Sequence, residues 1–373
     1  MAVRVETVDS ARKLREFQRF PWRVYSETPQ WVPPLLSEEK KLLDPGRGHP
    51  FHQHAETRLF LARRNGLTTG RVAACVNHLH NEVHGEKTGF FGFFEVLEDQ
   101  PSADALVQAA SRWLASAGME RVRGPASYSV NETCALLVEG FDLPPSVLMS
   151  YNPPYYIGLL ESAGFAPIQD MVAYRVTEGE LRFRAEMATF ARRMKERGGI
   201  TVRSVDLKNL QAELAPVRRI YNEAWADNWG AVPMTEAEID HLAKSLKPIL
   251  RQGLVLIAEV EGEAVGFALS VPDVNVALRA ANGRLLPFGI VKLLWAQRKI
   301  HSLRTIALGT LSEFRRRGVD AVLLDATIRN GTGLGFDESE MGWILEDNQA
   351  MRKPLDRVGG RVVKRYRFYE KPL

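Results

Sequence analysis

Thr305-Ile306-Ala307-Leu308-Gly309-Thr310-Leu311 is an apolar run that reads as a buried strand, and Ser312-Glu313-Phe314-Arg315-Arg316-Arg317-Gly318-Val319-Asp320 follows it directly. A helical pattern comes next, Ala321-Val322-Leu323-Leu324-Asp325-Ala326-Thr327-Ile328. It leads to a second apolar run, Glu340-Met341-Gly342-Trp343-Ile344-Leu345-Glu346, which ends in Asp347-Asn348. The chain closes on Lys364-Arg365-Tyr366-Arg367-Phe368-Tyr369-Glu370-Lys371. The block from Arg304 to Leu373 is therefore strand, basic glycine turn, helix, strand, helix, strand. A turn that presents N–H groups at a helix N-terminus suits a phosphate, because the amides and the helix dipole both favour anions. Three arginines beside it add charge and bidentate donors.

These residues resemble the GNAT superfamily of acyl-CoA N-acyltransferases, whose pyrophosphate loop has the pattern Arg/Gln-x-x-Gly-x-Gly/Ala. Here the loop reads Arg315-Arg316-Arg317-Gly318-Val319-Asp320, and Asp320 departs from the small residue usual at the sixth position. Further stretches narrow the resemblance. Trp31-Val32-Pro33-Pro34, Gly89-Phe90-Phe91-Gly92-Phe93-Phe94-Glu95, Leu137-Val138-Glu139-Gly140-Phe141 and Tyr151-Asn152-Pro153-Pro154-Tyr155-Tyr156 lie in the first half. The stretch from Tyr221 to Gly230, Pro272-Asp273-Val274-Asn275 and Trp343-Ile344-Leu345-Glu346-Asp347-Asn348 lie in the second. Together they resemble the bacterial ceramide synthase-like family, a branch of GNAT proteins, over nearly the whole chain. The resemblance implies an α/β fold of two tandem GNAT-like domains, each a mixed, mostly antiparallel sheet flanked by helices. It also implies acyl-CoA as cosubstrate and an amine acceptor, of which a sphingoid long-chain base is one form.

At 373 residues the chain has room for two domains of ordinary size, and 45% hydrophobic with 25% charged residues is the balance of a soluble globular protein. No apolar run approaches the roughly 18 residues of a membrane span. The start, Met1-Ala2-Val3-Arg4-Val5-Glu6, has no signal-peptide apolar core, and two cysteines, Cys75 and Cys134, suit reduced thiols. The expected home is cytoplasmic, with at most peripheral membrane contact. His49, His52, His54, His78, His80 and His84 show no metal-ligand spacing backed by carboxylates, so no metal is expected. A net charge of +4 lacks the concentrated basic stripe of a nucleic-acid protein. It suits an anionic cofactor, and equally an anionic membrane surface.

Along the chain, residues 9 to 26 carry an amphipathic helix pattern with Leu14, Phe17, Phe20 and Val24 inside. Leu59 to Ala62 and Val72 to Val76 read as strands, and Asn65-Gly66 between them is a hairpin signal. Gly89 to Leu97 is an aromatic strand. Ala103 to Ala117 places Leu106, Val107, Ala110, Leu114 and Ala117 on one helical face, with Gly118 as the C-cap. A short strand at 121–124, an irregular loop to Pro154, a helix ending at Gly164 and a strand at 171–176 complete this half. Thr177 to Gly199 reads as a charged helical connector, which sets the expected domains at 1–178 and 179–373. The second half repeats the plan. A helix spans Val217 to Trp225, and a capping box, Thr235 with Glu238, opens a helix holding Ile239, Leu242, Leu246 and Ile249 inside. Strands at 254–260 and 264–270 flank Gly262, and Ala258, Gly262 and Gly266 repeat the spacing of Ala62, Gly66 and Gly70. The first half has Glu98-Asp99-Gln100-Pro101 where the basic loop would fall. It is read as a degenerate domain that binds no CoA and shapes the acceptor pocket.

An amine attacking a thioester needs alignment, a polarised carbonyl, a proton acceptor and a proton donor. The resemblance places the acyl-CoA at Gly309, Thr310, Leu311, Arg315, Arg316, Arg317, Gly318, Val319 and Asp320. Gly309 is either part of an ordinary buried strand or a point of close backbone approach. In many GNAT enzymes a Tyr stands seven residues after the Asn that follows the second strand. Counted from Asn348, that position is Leu355, and the usual glycine four later is Gly359. Tyr366 and Tyr369 are the substitute acids, or else half-buried strand aromatics, with water as the donor. Glu346 is the candidate base at a strand end, where open α/β sheets place ligands. Period two puts Glu340, Glu346 and Asn348 on one face. Glu346 could equally cap the next helix or pair with an arginine. Asp273 and Asn275 either orient a hydroxylated acceptor or form an Asx-turn. Trp225, Asn228 and Trp229, with Tyr151, Asn152, Tyr155 and Tyr156, are the candidate acceptor walls, or else core and cap. Two other readings fit the sequence: an acetyl-CoA-dependent N-acetyltransferase of small molecules or peptides, and an inactive CoA-binding module.

Overall fold

The computed structural model describes residues 2–284 and 289–373. In chain order the first part holds β1 (Arg4–Thr7), α1 (Ala11–Arg19), α2 (Pro21–Val24), α3 (Leu36–Leu43), β2 (Ala55–Arg64), β3 (Leu67–Asn77), α4 (His78–His84), β4 (Thr88–Val96), α5 (Gln100–Ser116), β5 (Arg121–Gly124), β6 (Leu136–Glu139), α6 (Tyr156–Ser162) and β7 (Ala166–Thr177). The second part holds α7 (Arg184–Gly198), β8 (Ile200–Ser204), α8 (Leu210–Ala224), α9 (Glu236–Leu246), β9 (Val255–Val260), β10 (Glu263–Pro272), α10 (Asn275–Ala281), α11 (Gly289–Ala296), β11 (Ser302–Thr310), α12 (Val319–Gly333), β12 (Glu338–Leu345), α13 (Gln349–Arg357) and β13 (Arg361–Pro372).

These elements form two compact units that interleave along the chain. The first is Met1–Asp170, Ala277–Leu294 and Arg365–Leu373; the second is Met171–Val276 and Trp295–Lys364. In the first unit the strand order is β1-β2-β3-β4-β5-β13, with β6 also paired to β13. In the second it is β7-β12-β11-β10-β9-β8. Among the described residues each unit's strands have a single parallel pair, β4 with β5 and β11 with β12, and are otherwise antiparallel. The mixed sheets with flanking helices are those the sequence implies. The linear division at 178/179 gives way to an exchange. Residues from Met171 complete the second sheet beside β12, and residues from Arg365 complete the first beside β5.

The internal repeat appears as a shared register. Ala62 pairs with Gly70 across the Asn65-Gly66 turn, and Ala258 pairs with Gly266 across Glu261-Gly262. Both turns have two successive left-handed residues, φ 53 and 77 in one, 52 and 82 in the other. That is the type I′ geometry whose twist matches the strands. Gly70 and Gly266 serve one purpose, close approach of a helix. A Cβ on Gly70 would lie 2.6 Å from Leu106 of α5, and one on Gly266 would lie 3.0 Å from Val319 of α12.

Local details differ from expectation at element ends. The helix expected over 9–26 breaks at Phe20, because Pro21 has no N–H to give and opens α2 instead. The connector resolves into a short turn at Glu178–Glu180 and α7. The helix expected from Val217 starts at Leu210 and carries Pro216 inside. Ala117 is exposed at the end of α5, and Ile249 lies beyond α9. The Thr235/Glu238 capping box forms with both reciprocal bonds. Leu106, Val107, Ala110 and Leu114 of α5 are buried in the first core with Phe91, Phe94 and Val122. The second core joins Val172, Tyr174 and Val176 to Leu324, Met341, Ile344 and Leu355.

Candidate functional site

The second unit contains an opening in its sheet. The parallel ladder of β11 and β12 runs from Ser302↔Glu338 to Thr305↔Met341 and stops. β11 continues to Thr310 and β12 to Leu345. The stop coincides with a bulge: Ser270 pairs with Thr305 and Leu269 with Ala307, so Ile306 is the extra residue. A bulge bends its strand and turns it away from a neighbour. Backbone from Ile306 to Thr310 is thereby freed on the β12 side.

Gly309 lies in this freed segment, and the group that approaches it is Trp225. A Cβ on Gly309 would stand 2.4 Å from the indole. Trp225 also stacks on Tyr221, with ring centres 5.1 Å apart, and meets Phe267 edge-on at 5.7 Å. It is half-buried.

β11 leads into the basic loop. Leu311 donates its N–H to Val265 O at 2.9 Å, and a 3-10 turn covers Ser312–Phe314. Arg316 takes φ +64 and Gly318 φ +86 before α12 begins at Val319. Gly318 is the N-cap and brings no side chain, so it makes no side-chain cap to the first amides of α12. The three arginines have separate fates. Arg315 donates to Ala224 O at 2.9 Å and pairs with Asp227 at 3.4 Å, and Arg317 lies over the Phe314 ring at 4.9 Å. Arg316 is exposed and has no ion-pair partner among the described residues. Arg316 and the α12 amides are thus the groups available to a pyrophosphate.

Other residues expected at the cofactor do structural work. The side chains of Leu311 and Val319 are core, 0% and 1% exposed. The Thr310 hydroxyl donates to the Asp320 carboxylate, tying the end of β11 to the first turn of α12. Asp320 therefore stands at the unusual sixth position as an anchor. Gly318 is small for an internal reason, since a Cβ there would lie 2.5 Å from Met194 of α7.

Glu346 follows β12 directly and is half-buried. Its carbonyl accepts from Arg352 Nη1 at 2.5 Å, and Arg352 Nε donates to the Tyr174 hydroxyl at 3.2 Å. Tyr174 in turn donates to Asp356 at 2.8 Å. A guanidinium thus lies at the strand end, a feature the sequence did not single out because Arg352 reads as a surface charge of α13. Glu340, Glu346 and Asn348 do not share a face: the register slips between Met341 and Ile344, and the strand ends at Leu345. Asn348 is the N-cap of α13, accepting from Met351 N at 3.2 Å. Glu340 is buried against Lys364 at 2.6 Å. Burial holds that ammonium below its usual pKa while Glu340 draws it back. Leu355 fills the core, 1% exposed.

Tyr366 and Tyr369 are fully buried in the first unit, and Tyr369 donates to Glu161 at 3.2 Å. Their full burial is that of sheet aromatics of that unit. Asp273 forms the Asx-turn, its carboxylate accepting from Asn275 N at 3.2 Å where α10 opens, and Asn275 is buried. Asn228 donates its N–H to Trp225 O at 2.9 Å, and Trp229 is half-buried in the same turn. In the first unit Asn152 is spent on backbone, accepting from Leu137 N at 2.7 Å and donating to Leu137 O at 3.1 Å. Tyr151 donates to Phe141 O and Tyr155 to Val96 O. Tyr156 donates to Glu95 at 2.7 Å, as does Tyr25 at 2.8 Å. At the first unit's counterpart of the basic loop, Asp99 accepts from Arg64 and Ser102.

A bulged strand that parts from its parallel neighbour and runs into an uncapped basic helix start is the GNAT acyl-CoA N-acyltransferase architecture. Solved structures carry the same fold. A tandem GNAT protein from the clavulanic acid biosynthesis pathway superposes over 99% of this chain and 98% of its own, with TM-score 0.59 and 11% identity. A GCN5-related N-acetyltransferase from Sphaerobacter thermophilus does so over 89% and 85%, with TM-score 0.50 and 16% identity. No family model matches the chain. It is 37% identical over 376 residues to the bacterial ceramide synthase of Caulobacter vibrioides, covering 98% of this chain and 96% of that protein. It is 33% identical over 379 residues to protein YghO of Escherichia coli K12, covering 99% and 95%. The chain belongs to the bacterial ceramide synthase family of acyl-CoA-dependent N-acyltransferases.

Proposed function

We propose that the chain transfers a long acyl group from acyl-CoA to the primary amine of a lipidic acceptor of the sphingoid-base type. The observation that carries this reading is the opening past Thr305↔Met341 together with the uncapped start of α12. A pantetheine arm between the splayed strands receives backbone bonds, and the pyrophosphate meets the α12 amides and Arg316. The neutral amine attacks the thioester carbonyl, the C–S bond breaks, and an amide and CoA thiol result. Glu346 is the proposed acceptor of the ammonium proton, directly or through one water. With Leu355 in the core, water protonates the thiolate. The exposed face of the Trp225 indole bears on the acyl group or the acceptor.

A lipid acceptor requires approach to a membrane. No described helix is long and apolar enough to cross one. α11 exposes Val291, Leu294 and Trp295, spaced for one face, and no acidic residue occurs between Asp273 and Glu313. Lys292, Arg298 and Lys299 are exposed around it. This is the composition of a surface that rests on anionic headgroups.

The deciding experiment is an assay of sphinganine with acyl-CoAs from C2 to C18. Amide formation favouring long chains is the expected result. Exclusive use of acetyl-CoA, or CoA binding without turnover of any amine, would overturn it.

A further inference from the structure

The first unit holds a polar group that the reaction above leaves unused. Glu95 lies near the end of β4, opposite Arg71 of β3. It follows the bulge at Phe93, whose φ is +47. Tyr25 and Tyr156 both donate to the same oxygen, Oε2, at 2.8 and 2.7 Å. Oε1 receives no hydrogen bond among the described residues, and the residue keeps part of its surface open. Two hydroxyls from different elements therefore fix the carboxylate while one oxygen stays available.

The neighbouring charges are few. Arg71 is 4% exposed, donates to Phe17 O at 2.8 Å and pairs with Glu39 at 3.1 Å. Its Nε, and Oε2 of Glu39, are buried and have no hydrogen-bond partner among the described residues. The charged and titratable groups bearing on Glu95 are Arg71, Glu39, Tyr25, Tyr156 and Tyr155. With both carboxylates ionised the cluster carries two negative charges and one positive. A single added cation neutralises it. Buried charge without a counter-charge is costly, so the cluster favours a cationic ligand.

The surroundings are aromatic. Trp31 stacks flat on Tyr25 with ring centres 4.7 Å apart, and Tyr155 packs on Tyr156 at 5.1 Å. Trp31, Tyr155 and Phe93 remain half-buried. Aromatic faces attract ammonium groups and bury alkyl chains with few rotamers lost.

We infer that Glu95 forms the floor of an amine-binding site in the first unit, which holds the ammonium of an apolar primary amine before acylation. This rests on the proposed function for its identification of the amine as acceptor. The site differs from Glu346 in role: Glu95 binds the charged amine, and Glu346 takes the proton at attack. Burial, only partly offset by Arg71, pushes the Glu95 carboxyl up to about 7. Binding of an ammonium stabilises the ionised form, so amine affinity should rise with pH through that value and then level off.

The test is calorimetric titration of the full chain, without acyl-CoA, with dodecylamine and with dodecanol. Across pH 5.5 to 8.5 the wild type should bind the amine more tightly as pH rises, releasing a proton in the acid half of the range. Glu95→Gln should weaken the amine by about tenfold or more at pH 8, the usual scale for a lost charge-assisted bond, and leave dodecanol unchanged. Tyr25→Phe removes a donor to the carboxylate and should move the midpoint of the pH profile upward. It checks the assignment if the Gln variant folds poorly. Amine binding that is equal in wild type and Glu95→Gln, or flat with pH, would overturn the inference, as would no binding to the wild type. Acyl-CoA titration in parallel separates the two readings. Loss of acyl-CoA binding or turnover counts against the proposed function, whereas loss of the amine's pH dependence counts against Glu95 alone.

Discussion

The indole of Trp225 takes the space beside Gly309, where a Cβ would stand 2.4 Å from Cη2 of the ring. The two residues meet on the freed part of β11. Gly309→Ala should overpack this spot and cost about 1–3 kcal/mol. Trp225→Phe should recover part of that loss in the double variant, because the smaller ring withdraws the clashing atoms. Chemical denaturation of the two single variants and the double checks it. Additive losses would mean that the two residues do not share the space.

Arg316 is the exposed loop arginine with no ion pair among the described residues, and it is the proposed contact of the pyrophosphate. Arg316→Ala should weaken acyl-CoA binding by about ten- to a hundredfold, the worth of a charged hydrogen bond. Added salt should narrow the difference. Arg315→Ala should lower stability instead, by releasing Ala224 and Asp227. Gly318→Val is the wrong probe of phosphate approach. At φ +86 and with Met194 2.5 Å from the new Cβ, it should unfold the turn before it informs on binding.

What the sequence makes legible is local. Asn65-Gly66 and Thr235 with Glu238 carry their own geometry within a few residues, and both form. The basic loop is equally visible, being one contiguous stretch. The partners of Glu95 are not: Tyr25 and Tyr156 lie 70 and 61 residues away, and Phe93-Phe94-Glu95 reads as plain strand. The strand exchange at Met171 and Arg365 is hidden for the same reason, since the pattern of a strand says which face is buried and not which sheet it joins. That exchange is why Tyr366 and Tyr369 lie in the first unit. Asp273 is open in the sequence between acceptor binding and an Asx-turn, and it accepts from Asn275 N; the cap of α13, which the sequence offers to Glu346, is supplied by Asn348.

Glu95 also makes a prediction about stability. Its folded pKa of about 7 lies above the ordinary 4.5, so between these values the folded chain binds more protons than the unfolded one. The stabilisation is full below pH 4.5 and is lost as pH rises through 7. Glu95→Gln does not titrate. Relative to wild type it should gain, by up to about 3 kcal/mol, between pH 4.5 and pH 8. Denaturation curves for both proteins at the two pH values measure this. A constant difference would mean that the carboxyl ionises normally.

α11 supplies a fourth, independent test. Flotation with phosphatidylglycerol vesicles at low salt should carry the protein upward, and high salt should release it. Trp295→Ala, 61% exposed in the wild type, should reduce binding without loss of fold. Reversing Lys292, Arg298 and Lys299 to Glu should abolish it, since each basic residue is worth about 1 kcal/mol at an anionic surface. Equal flotation with neutral vesicles would remove the electrostatic part of the reading.

Glu346 remains the proposed proton acceptor, and its setting makes the test specific. It stands immediately after β12, on the strand that parts from β11, so a thioester between the splayed strands brings an incoming amine to this end. Its main chain is held by Arg352, while Asn348 fixes the start of α13 two residues on. The main-chain bond does not run through the carboxylate, whose charge also bears on Arg352. General base catalysis is worth about a hundred- to ten-thousandfold. Glu346→Gln should lower kcat at least about a hundredfold and leave acyl-CoA affinity nearly intact, because the loss falls on the transition state. Glu95→Gln should instead raise KM for the amine with a smaller effect on kcat, so the pair of variants separates binding from proton removal. Of the other carboxylates, Glu340 is buried against Lys364, and Asp273 accepts from Asn275 N in its turn. A Glu346→Gln enzyme that keeps most of its kcat would therefore assign the proton to solvent.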